Sequence, residues 1–178
     1  AFDRAGRAAC LLAGWLDEAG RSDEALPVYG RVVARHAGSP CADVAWYRVG
    51  TRAFDQGRYA DAVTAYVRAL ENPRGRFRPA VLYRLSWARL RAGEYARGVA
   101  GFEQLLDELD PGRPGAQAFA ALREAALDGL AWALANDDRD ADGQRDADFG
   151  TARLVSYLPG GAPYEPEVLR RAGRLLLA

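Results

Sequence analysis

Trp46-Tyr47-Arg48-Val49-Gly50, followed by Gly57-Arg58-Tyr59-Ala60-Asp61-Ala62 and then by Tyr66, Ala69 and Pro73, is the stretch that decides the fold. Ala62 and Tyr66 lie four places apart and so share one face of a helix. Gly57 sits where a first helix must end and turn, as a left-handed cap requires. The same order of residue classes recurs along the chain. The next unit carries Leu82, Leu85 and Ser86, then Gly93, Tyr95, Gly98, Phe102 and Leu105. The preceding one carries Ala9, Leu12 and Ala13, then Gly20, Ala25, Tyr29 and Val32. A fourth opens on Leu127, Leu130, Ala131 and Trp132, and a fifth on Leu169, Ala172 and Gly173. Ala25, Ala62 and Gly98 are the small residues that let two helices approach. Tyr29, Tyr66 and Phe102 follow each of them on the same face. Ser22-Asp23-Glu24 reads as a helix start. No stretch shows sustained strand alternation with hairpin turns.

This order resembles the tetratricopeptide repeat, a two-helix unit of about 34 residues with an early W-x2-L-G and later A and F/Y positions. The resemblance implies an all-α fold, an α-solenoid of helix-turn-helix repeats spanning residues 1–178. Units start near residues 6, 43, 79 and 124, with a truncated one near 166. Connectors are expected at Asn72–Arg78, between Leu106 and Ala116, and at Leu158–Pro163, where Pro and Gly break helices. In proteins of this kind the first helices of successive units line a concave groove for a protein or peptide partner. That register places Tyr47, Thr51 and Phe54 in the groove from the second unit. It adds Tyr83, Trp87, Leu90 and Arg91 from the third, and Asp128 and Trp132 from the fourth. Trp and Tyr anchor interfaces because they bury much area with little rotamer entropy. The alternative is that these aromatics are covered by another helix or repeat of a longer protein.

The 178 residues suffice for one ordinary domain. The formal charge is zero, from 24 basic and 24 acidic residues, so no broad basic field marks a nucleic-acid binder. No apolar run approaches the ~20 residues that span a bilayer, and no direct membrane insertion is expected. All basic residues are Arg, and Lys, Ile and Met are absent, which points to a GC-rich bacterial coding sequence. The chain opens at Ala1-Phe2-Asp3 without a Met and stops inside the fifth unit, so a segment of a longer protein is expected. The one histidine, His36, has no second ligand for zinc and no evident catalytic partner; a place near a helix end suits it. Cys10 and Cys41 lack a C-x-x-C spacing. Buried free thiols are expected, with a disulfide as the alternative in an oxidising compartment.

Asp137-Asp138-Arg139-Asp140-Ala141-Asp142-Gly143-Gln144-Arg145-Asp146-Ala147-Asp148 spells D-x-D-x-D-G-x-x-D from Asp138. Alternate carboxylates can turn inward on one loop, and Gly143 permits the sharp bend that calcium loops need. The expected ligands are Asp138, Asp140, Asp142, the Gln144 carbonyl and Asp146. An EF-hand would end in a bidentate Glu at the twelfth place, where Phe149 stands here. The loop is similar instead to the shorter D-x-D-x-D-G-x-x-D loops of integrin α-chain propellers. Six Asp against two Arg repel one another without a cation. The competing reading is an acidic solvated turn. Short calcium loops of extracellular modules bind with Kd of about 10⁻⁴–10⁻³ M, which is useful only outside the cytosol. The periplasm or cell surface is therefore expected, with the cytoplasm as the alternative.

These readings converge on a non-enzymatic protein-interaction scaffold with a structural calcium loop. The repeats, the acidic insert and Pro163-Tyr164-Glu165-Pro166-Glu167-Val168 together are similar to cell-envelope repeat proteins of myxobacteria, some of which serve gliding motility or envelope assembly. The alternative is a docking or regulatory arm of a larger enzyme or signalling protein.

Overall fold

The computed structural model describes residues 4–136 and 160–177. Among these the architecture is all-α, as expected, and built of helix-turn-helix hairpins in chain order. The helices are α1 Arg4–Glu18, α2 Ser22–Arg35, α3 Ala42–Asp55, α4 Tyr59–Ala69, α5 Arg78–Arg91, α6 Tyr95–Glu108, α7 Ala120–Ala135 and α8 Glu165–Leu177. A short 3-10 turn, Ala116–Phe119, leads into α7. The chain forms two compact units, Ala1–Arg84 and Leu85–Ala178, and the division falls inside α5.

Three hairpins close by one device. Gly20, Gly57 and Gly93 have φ of 73°, 73° and 78°, the left-handed region that glycine enters without a Cβ penalty. The residue after each glycine then donates its N–H back to the helix just completed: Arg21 to Leu16, Arg58 to Ala53 and Glu94 to Arg89, at 2.8, 2.9 and 2.8 Å. This is the six-to-one bond of the Schellman motif. Those same residues accept the first bond of the next helix, from Ala25, Ala62 and Gly98 at 3.1, 3.0 and 3.0 Å. Each turn thus ends one helix and starts another in three residues. α2 begins at Ser22, and His36 is its C-cap residue, its N–H bonded to the Val32 carbonyl.

In the first unit the core under α1, α2 and α3 is Ala13, Ala25, Val28, Tyr29, Val32 and Ala45. In the α3–α4 hairpin Gly50 lies against Tyr66, where an added Cβ would stand 2.8 Å from the ring. Cys10 and Cys41 are not free thiols. They form a disulfide across 31 residues, with Cα atoms 5.8 Å apart. The bond ties α1 to the residue that precedes α3, and so links two successive hairpins. Closing a loop of 31 residues in the unfolded chain is worth about 3–4 kcal/mol in the chain-entropy account.

The second unit is richer in leucine. α7 is apolar nearly all round and buries Ala126, Leu127, Gly129, Leu130, Ala131, Ala133, Leu134 and Ala135. A helix of that kind needs cover on several sides. α6 supplies Phe102, Leu105 and Leu106, and α8 supplies Val168 and Ala172. The close approaches are again made by glycine. A Cβ at Gly129 would stand 2.7 Å from the Phe102 ring, and one at Gly98 would stand 2.6 Å from Leu90 Cδ2 and 3.1 Å from the Ser86 carbonyl oxygen. The contact at Gly98 cannot be relieved by side-chain motion alone, because part of it is backbone.

Gly98→Ala should therefore destabilise the protein although alanine is the better helix former. Overpacking costs about 1–3 kcal/mol and the helix-propensity gain returns less than about 1 kcal/mol, so a net loss near 1 kcal/mol is expected. Urea denaturation checks this. A midpoint equal to or above that of the parent would contradict the close-packed helix contact.

Candidate partner-binding surfaces

In the first unit Tyr47, Thr51 and Phe54 rise along α3 at helical spacing, all half-buried. The Tyr47 ring stacks on Phe77 at 5.3 Å between centroids and lies 6.2 Å from Tyr66. The Tyr66 hydroxyl donates to Thr51 Oγ1 at 3.4 Å. Phe54 meets Tyr59 edge-on at 5.4 Å, and the Arg84 guanidinium lies 5.9 Å over its ring. Tyr83 is half-buried on the part of α5 that belongs to this unit.

A polar cleft of about 220 Å³ adjoins Thr51, lined by Asp17, Tyr29, Arg48, Thr51, Arg52 and Asp55 among others. Asp17 is its centre. It accepts from the Tyr29 hydroxyl at 2.9 Å and the Ser22 hydroxyl at 3.3 Å, and its Oδ2 lies 2.8 Å from Arg48 Nε. Burial, and then the Asp17 carboxylate, push the Tyr29 phenol up to about 12. Sequence reading missed this cluster. The one available signal was a carboxylate in the last turn of α1, where it opposes the helix dipole and needs a compensating cation.

In the second unit the expected residues divide. Trp87 and Trp132 meet at 5.3 Å between centroids, tilted by 52°. Trp87 also stands edge-on to the buried Phe102 at 5.5 Å. The exposed Arg91 carries its guanidinium 5.9 Å over the Trp132 ring, a cation–π pairing. These three residues form one half-exposed aromatic and cationic patch. Leu90 instead is only 7% exposed and is packed on Gly98. Asp128 is exposed but engaged: Arg171 of α8 reaches it at 2.6 Å, together with Glu124 at 2.5 Å and Glu167 at 2.7 Å. Hydrogen bonds from Arg170 and Arg171 hold the Glu167 carboxyl down to about 2.

At the end of α7 the Tyr95 hydroxyl lies 3.0 and 2.5 Å from the carbonyl oxygens of Ala133 and Asn136, which share its one proton. Asn136 Nδ2 donates to the Trp132 carbonyl at 2.9 Å. The expected calcium ligands Asp138, Asp140, Asp142, Gln144 and Asp146 follow at once in sequence and lie outside the described residues. Among the described residues no group of three or more His, Cys, Asp or Glu could hold a metal ion. One acidic neighbourhood in the second unit has another character. Glu103 Oε1 is buried without a hydrogen-bond partner among the described residues. Burial, and then the nearby Asp107 and Glu165 carboxylates, raise its pKa. Glu165 itself accepts from the Gly161 and Ala162 N–H groups, each at 3.1 Å, and so belongs to the turn that opens α8.

Residues 80–110 match the family model described as tetratricopeptide repeat. The match covers most of α5, the Gly93 turn and all of α6, and so includes Trp87, Arg91 and Phe102. No curated protein and no solved structure matches the chain.

The raised carboxyl of Glu103 sets a direction for stability against pH. A carboxyl whose folded pKa exceeds its unfolded one favours the folded state in its protonated form. Its contribution is complete below the ordinary carboxylate range and lost as pH rises through the folded value. Glu103→Gln keeps the shape and removes the charge. It should leave the melting temperature nearly unchanged at pH 4 and raise it at pH 7.5, by roughly 1 kcal/mol of stability. Melting curves of both proteins at the two pH values test this. A variant less stable than the parent at pH 7.5 would contradict the assignment.

Proposed function

We propose that this chain is a non-enzymatic protein-interaction scaffold of tetratricopeptide-like repeats, that it works outside the cytosol, and that residues 137–148 form a structural calcium loop. The observation that carries the scaffold reading is the Trp87–Arg91–Trp132 patch, of which Trp87 and Arg91 lie on the segment similar to the repeat family. Two rigid indoles capped by an exposed cation suit a partner segment of extended or helical form, because such rings bury area at low entropic cost. Nothing in the patch pairs a nucleophile with a base, as covalent or acid–base catalysis would require.

The disulfide supports the compartment, since such bonds persist in oxidising environments and are rare in the cytosol. Weak calcium loops favour the same place, where the ion is plentiful. Cell-envelope assembly or gliding motility is the setting consistent with both. Among the described residues no helix is long and apolar enough to cross a membrane.

Selection from a displayed peptide library on the immobilised chain tests the patch. The selected peptides should lose at least tenfold in affinity with Trp132→Ala, and several-fold with Arg91→Ala, at unchanged helicity. Peptides indifferent to both substitutions would remove the patch from the function.

Calcium titrated calorimetrically into metal-stripped protein should show one site. Calcium at ten times its Kd should add roughly 1.4 kcal/mol to stability if only the folded form binds. Magnesium should do less, because it holds its waters and demands a tight octahedron. Asp140→Asn with Asp142→Asn should abolish most of the response. A silent titration to millimolar calcium would return the loop to ordinary acidic surface.

A further inference from the structure

We propose that the Cys10–Cys41 disulfide is a redox latch, which holds helix α1 in place and thereby keeps the Asp17–Arg48 cleft of the first unit assembled. The proposal goes beyond the scaffold reading and does not depend on where the partner docks.

The non-covalent hold on α1 is thin. Of its fifteen residues only Gly6 and Ala13 are buried. Three of its large side chains face solvent, Leu11 being 59% exposed, Leu12 44% and Trp15 65%, and the half-buried Leu16 with Ala9 supplies further contact with the core. α2, by contrast, buries Ala25, Val28, Tyr29 and Val32. Glycine and alanine contribute little apolar area, so burial on α1 stabilises far less than on α2. An element with few buried apolar contacts sits at the low end of local stability and opens first. Among its ties beyond packing are the Asp17 cluster at one end and the disulfide near its middle.

The bond is placed so that it can be opened. Cys10 and Cys41 are both half-buried rather than fully enclosed, and exchange requires that a thiolate reach one of the two sulfurs. The Ser39 hydroxyl lies 3.6 Å from Cys10 Sγ and is itself buried. With no S–H left on a bonded sulfur, Ser39 is the donor, and it favours charge on Cys10. Attack is therefore directed at Cys41 Sγ. The thiolate of a dithiol reductant forms a mixed disulfide there, and the S–S electron pair leaves on Cys10 as a thiolate that takes a proton. The second thiol of the reductant then attacks its own sulfur in the mixed disulfide and releases Cys41. The protein ends with two thiols and the reductant with one disulfide. The reverse exchange with a protein disulfide oxidant sets the latch.

Release of α1 has a functional consequence. Asp17 is carried by α1, whereas its partners Tyr29, Arg48 and Ser22 are not. When α1 swings free, the cleft loses its central carboxylate, and the α2 face made by Val28, Tyr29 and Val32 is uncovered. A partner that reads the assembled cleft is dismissed, and an apolar surface replaces it.

Hydrogen exchange on the full chain tests the latch. Oxidised protein should contain no titratable thiol. A dithiol reductant should raise amide exchange across Arg4–Glu18 at least tenfold and change that of Tyr59–Ala69 less than twofold. Cys10→Ser with Cys41→Ser should reproduce the fast α1 exchange without reductant. Unchanged α1 protection on reduction would overturn the proposal, as would two free thiols in protein purified from an oxidising compartment. Equal loss of protection in both segments would also overturn it, because the bond would then be a staple for the whole unit.

Discussion

The hairpins depend on a turn that only glycine makes comfortably. Gly20, Gly57 and Gly93 take up positive φ, and the next residue both closes the finished helix and opens the following one. A side chain at that position would be strained, and the turn would need more residues. With the turn this short, the second helix comes back against the first at a distance set by its own first inward residue. That is why Ala25, Ala62 and Gly98 must be small. It is also why Tyr29, Tyr66 and Phe102, one helical turn further on, can be large. The backbone bends sharply, the helices touch at their small ends, and an aromatic ring fills the space that opens beyond.

The same plan is stabilised differently in the two units. Leu105, Leu106, Leu127, Leu130 and Leu134 are fully buried in the second. Each contributes roughly 1.5–3 kcal/mol by leaving water. The first unit has alanines at many places, with valines and tyrosines between them, and its first helix buries only Gly6 and Ala13 fully, with Ala9 and Leu16 packed partly against the core. Burial that is adequate for α7 is not available to α1. A covalent bond and a polar cluster occupy the place that leucines fill in the second unit. The covalent bond acts conditionally, on redox state, whereas leucine burial does not.

The fold was legible because its determinants are local. A glycine at a helix end and a small residue a few places on can be read from any one repeat, and recurrence removes the ambiguity. The disulfide stood in the sequence only as the alternative to free thiols, because pairing depends on where Cys10 and Cys41 stand in space and their 31-residue separation carries no geometry. Burial of free thiols was the expectation, and the structure replaces it. Of the residues expected to line a groove, Trp87 and Arg91 do meet Trp132, and the register of α5 placed the first two on one face by helical spacing. It could not say that Leu90 would be taken by Gly98, or Asp128 by Arg171 from α8. A face assigned from one helix leaves open which neighbour arrives to cover it.

Charge sharpens the same point. The chain carries 24 arginines and 24 acids, and much of that charge near the candidate surfaces is already engaged. Arg171 gathers Glu124, Asp128 and Glu167, and Arg48 meets Asp17. Arginine suits such duty because its planar fork reaches several carboxylate oxygens at once. A partner that offered only charge would have to displace these pairs and would gain little, since exposed ion pairs are worth at most about 1 kcal/mol. Arg91 differs. Its guanidinium rests over the Trp132 ring. A carboxylate arriving beside Trp87 and Trp132 can therefore meet a cation while its neighbouring apolar groups cover the indoles. The proposed recognition, aromatic burial with one guided charge, is the mode that fits a surface whose other charges are already paired with one another.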